Sequence, residues 1–139
     1  MPLHPGLVHY PIALLVQSTV FQALYLIFKQ TWLTKAALIT WAIALAGAVA
    51  AALTGTAQVE AVLSLGSVDE LLALHERLAN LTIFVSFGGL LYSFVAFQRN
   101  RLNPWITFAI LLLLSGMVVA TGHLGGQLVF LHGTGITPQ

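Results

Sequence analysis

The chain has 139 residues, 58% of them hydrophobic and only 6% charged, with a formal net charge of +1. A water-soluble domain carries about a quarter charged residues, so this chain cannot cover an aqueous surface and is expected in lipid. The near-zero charge without a basic run excludes a nucleic-acid partner, and the lack of cysteine excludes disulfides, thiolate metal sites and covalent c-type haem.

A membrane-crossing helix needs about 20 mostly apolar residues, and four stretches qualify, at about 7–28, 36–57, 70–97 and 105–124. The first follows His4-Pro5 and carries no Lys/Arg leader, so it reads as retained. Pro11 falls in its first turn, where its missing N–H has no helical partner in any case. Lys29 and Lys35 bracket a short turn that contains Trp32. The second stretch offers Ala44, Gly47, Ala48, Ala51 and Gly55, the small-residue spacing that lets helix backbones approach. A polar connection follows from Gln58 to Ser67, and Ser67-Val68-Asp69-Glu70 fits a capping box that opens the third helix. Gln98-Arg99-Asn100-Arg101 forms a basic turn, and Pro104 suits the first position of the fourth helix. Gly125 and Gly126 are expected to loosen that helix near its end, although it could run on to Leu131. The fold class is therefore an all-α, single-domain four-helix transmembrane bundle.

Lys29, Lys35, Arg99 and Arg101 share the two short loops on one side, which the positive-inside rule makes cytoplasmic. The acids Glu60, Asp69, Glu70 and Glu76 fall on the other side, with Arg77 as the only base there. Both termini are then outer, or periplasmic in a bacterial inner membrane. Trp32, Trp41 and Trp105 read as an aromatic belt at the inner interface.

All five histidines, His4, His9, His75, His123 and His132, lie at the outer level under this topology. Imidazole near hydrocarbon marks a functional candidate. Helical spacing extends from His75 through Ala79, Thr82, Ser86 and Gly89, a small and polar face suited to a bundle interior. The same spacing from His9 passes Ala13 and Gln17, and from His123 passes Ala120 and Gly116, so three helices are expected to turn histidines inward. Such a plane suits axial ligation of haem b, with Arg77 beside a propionate. It equally suits a copper or zinc site, with Glu76 or Glu60 as a further ligand, or a histidine–carboxylate proton relay. Interfacial histidines also occur without any ligand, and His4 and His132 fit that plainer reading best. Gln17, Gln22 and Gln58 read as interhelical hydrogen-bond glue.

The opening HPGLVHYPIALL and the closing TGHLGGQLVFLHGTGI resemble the DUF2231 family of small membrane proteins. That family begins with an HP…VHFPIAL pattern, carries a central histidine and ends in GGxLVY-x-HGVGV. His4, His9, His75, Gly125, Gly126, Leu128, Val129, His132 and Gly133 stand at matching positions, and the match spans essentially the whole chain. Where the family places an Asp-Trp pair after the second-helix glycine, this chain has Thr56-Ala57-Gln58. The resemblance implies the four-helix membrane fold. Members joined to Rieske-type domains imply electron transfer.

Three functions follow as expectations: a haem b protein of electron transfer, a copper- or zinc-binding membrane protein, or a non-catalytic subunit of a larger membrane complex. No nucleophile set, carboxylate pair or nucleotide loop supports independent enzymatic activity. Partners beyond the bilayer would be a redox protein or a larger membrane complex, and a homo-oligomer is compatible with the composition. Cysteine labelling from the periplasmic side at positions 30 and 139 checks the topology. Gln139→Cys should react and Gln30→Cys should not; the reverse pattern inverts the orientation.

Overall fold

A computed structural model describes residues 8–63 and 69–132, with side chains over 8–55 and 70–129. Four helices account for nearly all of this: α1 His9–Phe28, α2 Thr31–Leu63, α3 Asp69–Gln98 and α4 Pro104–His132. All four are long and apolar enough to cross a membrane. They form an up-down ring in which α1 packs on α2 and α4 and α3 packs on the same two, while among the described residues the backbones of the diagonal pairs stay apart.

The ring follows from a repeat that all four helices share. The inward residues are Pro11, Leu15, Ser18 and Gln22 on α1, and Thr34, Ala37, Trp41, Ala44, Ala48 and Ala51 on α2. On α3 they are His75, Ala79, Thr82, Ser86, Gly89 and Ser93, and on α4 Thr107, Leu111, Leu114, Val118, Thr121, Gly125 and Leu128. Every step is three or four residues, the spacing that keeps one face of a helix on its neighbour along a shallow crossing. Large apolar side chains such as Ile27, Phe84, Phe87, Leu112 and Leu113 point outward and are exposed. Lipid accepts them at no cost, whereas serine and threonine hydroxyls need partners and turn inward.

Each of the four interfaces carries a side-chain hydrogen bond. Ser18 and Thr40 hydroxyls meet at 2.7 Å between α1 and α2. Between α1 and α4, Thr19 Oγ1 lies 2.7 Å from Ser115 Oγ and 3.1 Å from the Leu111 carbonyl. The Trp41 indole N–H donates to Ser86 Oγ at 2.8 Å between α2 and α3. Ser93 and Thr107 hydroxyls face each other at 3.3 Å between α3 and α4. Gln22 donates from Nε2 to the Pro104 carbonyl at 3.2 Å, the glue role expected of it. In lipid such bonds contribute about 0.6 kcal/mol each, so they select the faces that meet more than they supply stability.

Three local expectations are corrected. The turn between α1 and α2 is tighter than Lys29 to Lys35, because Lys29 closes α1 in a left-handed conformation (φ 56°) with its N–H on the Tyr25 carbonyl. Trp32 therefore lies in the first turn of α2. Much of the expected polar connection is helix, since α2 continues to Leu63; its 33 residues span about 50 Å, well beyond the bilayer's apolar thickness. Trp41 is not an interfacial belt residue but fully buried in the core beside Leu15, Leu111 and Leu114. Trp32 and Trp105 are exposed, as expected of a belt. The capping serine, Ser67, lies outside the described residues. Pro104 does open α4, behind an Asn103 side chain that accepts the Trp105 N–H at 3.0 Å.

Glycines set two of the close approaches. A Cβ on Gly89 would stand 2.7 Å from Ile110 Cγ2 and 3.1 Å from the Trp41 ring. At Gly47 it would meet Pro11 Cδ at 3.5 Å, an ordinary contact. Overpacking of a tight core costs about 1–3 kcal/mol. Gly89→Ala should therefore lower the melting temperature in detergent by several degrees, while Gly47→Ala leaves it close to wild type and Gly47→Leu, which must displace Pro11, lowers it. Equal melting temperatures for all four proteins would contradict this packing.

Candidate functional site

The histidine-bearing end of the bundle is opposite the end that carries the exposed basic residues Lys29, Lys35, Arg99 and Arg101. Of the histidines whose side chains are described, His9, His75 and His123, His75 is the one placed on an inward stripe. It stands in the second turn of α3 and faces α4, half-buried, with Ala79, Thr82 and Ser86 below it on the same face. Its Nδ1 lies 3.0 Å from the Thr121 carbonyl. A carbonyl oxygen can only accept, so Nδ1 carries the proton in this bond; in the neutral ring the lone pair is then on Nε2. The Thr121 carbonyl is a main-chain group within a helix, a rigid support for the ring.

The ring also needs space, and glycine supplies it. A Cβ on Gly125 would lie 3.2 Å from His75 Cε1 and 3.6 Å from Nδ1. One turn earlier, a Cβ on Gly122 would stand 2.8 Å from Ile12 Cδ1 of α1. Within TGHLGG, two glycines thus seat two different neighbours, and α4 runs unbroken through Gly125 and Gly126 to His132. The expected loosening does not occur.

The expected inward turn of His9 and His123 is corrected. His9 opens α1 on an exposed face together with Ala13 and Gln17. His123 is exposed, as are Ala120 and Gly116, and its Nε2 lies 3.1 Å from Gln127 Nε2. The inner stripe of α4 passes through Thr121 and Gly125 instead, which leaves position 123 facing out. Arg77 is exposed and Glu76 half-buried beside His75 in sequence. His132 ends α4, and its side chain lies outside the described residues, as do His4 and the side chains of Glu60 and Gln58. Among the described residues no three histidine or carboxylate side chains gather as a metal site.

A ring fixed through Nδ1 on a carbonyl is an arrangement that orients ligating histidines, so the donor chemistry at His75 would suit a group ligated through Nε2. It fits haem iron, copper and zinc alike. The supports missed in the sequence are Thr121 and Gly125. Their four-residue spacing on the α4 stripe was a readable signal, although it does not say which neighbour they meet. Filling the glycine seat tests the contact: Gly125→Val should tilt the ring off the carbonyl and shift the His75 ring resonances, while Gly126→Ala, where a Cβ meets nothing within 4 Å, should leave them in place.

A family model described as "Predicted membrane protein (DUF2231)" matches residues 1–138. No curated protein matches significantly, and no solved structure does. With a match over nearly the whole chain and four apolar spans, the protein is an integral membrane protein that belongs to the DUF2231 family.

Proposed function

We propose that this protein binds haem b at the outer face of a bacterial inner membrane and passes electrons, with His75 as one axial ligand. The observation that carries the reading is the His75 ring, held by Nδ1 on the Thr121 carbonyl at 3.0 Å and seated on Gly125. A histidine on a lipid-embedded helix is costly to retain without a task, and this one has its tautomer and orientation set as ligating histidines do. The second axial imidazole is one of the remaining histidines of the sequence; His9 and His123 face away from the inward stripe of His75, and the side chains of His4 and His132 lie outside the described residues. Arg77, exposed two residues beyond His75, is the cation for a propionate. Haem, when bound, supplies the one-electron chemistry; the chain supplies ligands, orientation and an apolar surround. The basic turns face the cytoplasm by the charge rule, which puts both termini and the histidine end outside. A redox protein in the membrane or periplasm is the partner that such a site requires.

The visible spectrum of the detergent-purified protein tests this. A Soret band with sharpened α and β bands on reduction is expected, and His75→Ala should abolish the haem or convert it to high spin without unfolding the bundle. Copper or zinc in place of haem, lost with the same variant, would move the assignment to a metal-ion site. A wild-type protein that carries neither haem nor metal overturns the reading and leaves an accessory subunit.

A further inference from the structure

α1 carries a second three-four repeat that the bundle does not use. Tyr10, Ala13, Gln17, Val20, Leu24 and Ile27 step along the side opposite the inner stripe of Pro11, Leu15, Ser18 and Gln22, all exposed except Leu24, which is half-buried beside Trp32 and Leu33 of α2. Four of them are large and apolar, Ala13 is small, and Gln17 is the exception. It lies at the middle of the 20-residue α1, is exposed, and makes no hydrogen bond among the described residues. Gln22, one turn further on, shows what the same side chain does when a partner exists: it is fully buried with Nε2 on the Pro104 carbonyl.

An amide in hydrocarbon that lacks a hydrogen-bond partner is strongly unfavourable. Snorkelling cannot relieve it. Eight residues separate Gln17 from the start of α1 and eleven from its end, roughly 12 and 16 Å, beyond the reach of a glutamine side chain. A partner must therefore come to it within the membrane.

We propose that this partner is a second copy of the chain, joined in parallel through the outward stripe of α1 with the two Gln17 amides hydrogen-bonded to each other. A primary amide has both a donor and an acceptor, so it is complementary to its own copy without any further residue. Two copies inserted in one bilayer share their topology. Their two-fold axis then runs along the membrane normal, the two α1 helices run parallel, and each stripe residue meets its counterpart at equal depth. A three-four apolar stripe with one polar member is the pattern by which parallel helix pairs fix register and partner number. Ala13, one turn above Gln17, lets the helices approach. This association stands independently of the haem reading, since none of its residues is a ligand.

The chain has no cysteine, so single substitutions report directly. Ala13→Cys and Val20→Cys in bacterial membranes should give disulfide-linked homodimers on mild oxidation, while Gly116→Cys, exposed on α4, should not. In nanodiscs or detergent, Gln17→Leu should weaken the dimer roughly tenfold with the monomer's melting temperature unchanged. A wild type that stays monomeric in the membrane, cross-linking from position 116 but not from 13 and 20, cross-links to a chain of another mass, or a Gln17→Leu dimer of undiminished affinity would each overturn the proposal. None of these measurements depends on a bound cofactor.

Discussion

Lipid offers no hydrogen-bond partner, and the rest of this structure depends on that constraint. The described core holds Ser18, Thr19, Gln22, Thr34, Thr82, Ser86, Ser93 and Thr107, an interior that would be unusual in a soluble bundle of this size. Apolar residues alone could not choose which faces meet, because the outward leucines and phenylalanines are as well placed in lipid as in the core. The hydroxyls can choose. All but Thr34 find either a carbonyl of their own helix or a group on the next helix, and the four interfaces are fixed by the second kind. Thr19 shows both: its hydroxyl lies 3.0 Å from the Leu15 carbonyl of its own helix and reaches Ser115 on α4.

Small residues then decide how closely the polar faces meet. Ala37, Ala44 and Ala51 keep α2 slim toward its neighbours, and Trp41, the largest buried side chain on that helix, fills the centre. Gly89 is the counterpart that admits the Trp41 ring, and Ser86 takes its N–H. At the other end of the bundle the same device recurs with a different side chain, as Gly125 admits the His75 ring and the Thr121 carbonyl takes its N–H. One is a packing anchor and the other a candidate ligand, and both rings are seated on a glycine and hydrogen-bonded to a neighbouring helix. Two buried polar atoms, Gln22 Oε1 and Thr34 Oγ1, have no partner in the described structure. Both lie toward the basic end, where a bridging water is the ordinary solution for such groups.

The amino-acid sequence alone determined the class of the protein. Its low charge, four apolar runs and Pro104 fix four membrane helices, because hydrophobic length is a local property, although α2 and α4 run six and eight residues past the expected ends. The inward face of α3 was equally legible, since Ala79, Thr82, Ser86 and Gly89 leave one small-polar side and the other sides of α3 are bulky. On α1 the same reasoning chose the wrong side. Gln17, Ser18, Thr19 and Gln22 spread polarity around the helix, and local spacing from His9 picked the exposed set. Only the tertiary structure decided between them, because the choice depends on where Thr40, Ser115 and Pro104 of other helices stand. The same holds for Trp41, whose burial requires Gly89 and Ser86 across the bundle, and for His75, whose support comes from a carbonyl 46 residues away in sequence. A helix states which residues share a face; which face meets a neighbour is settled by the partner that satisfies its polar atoms.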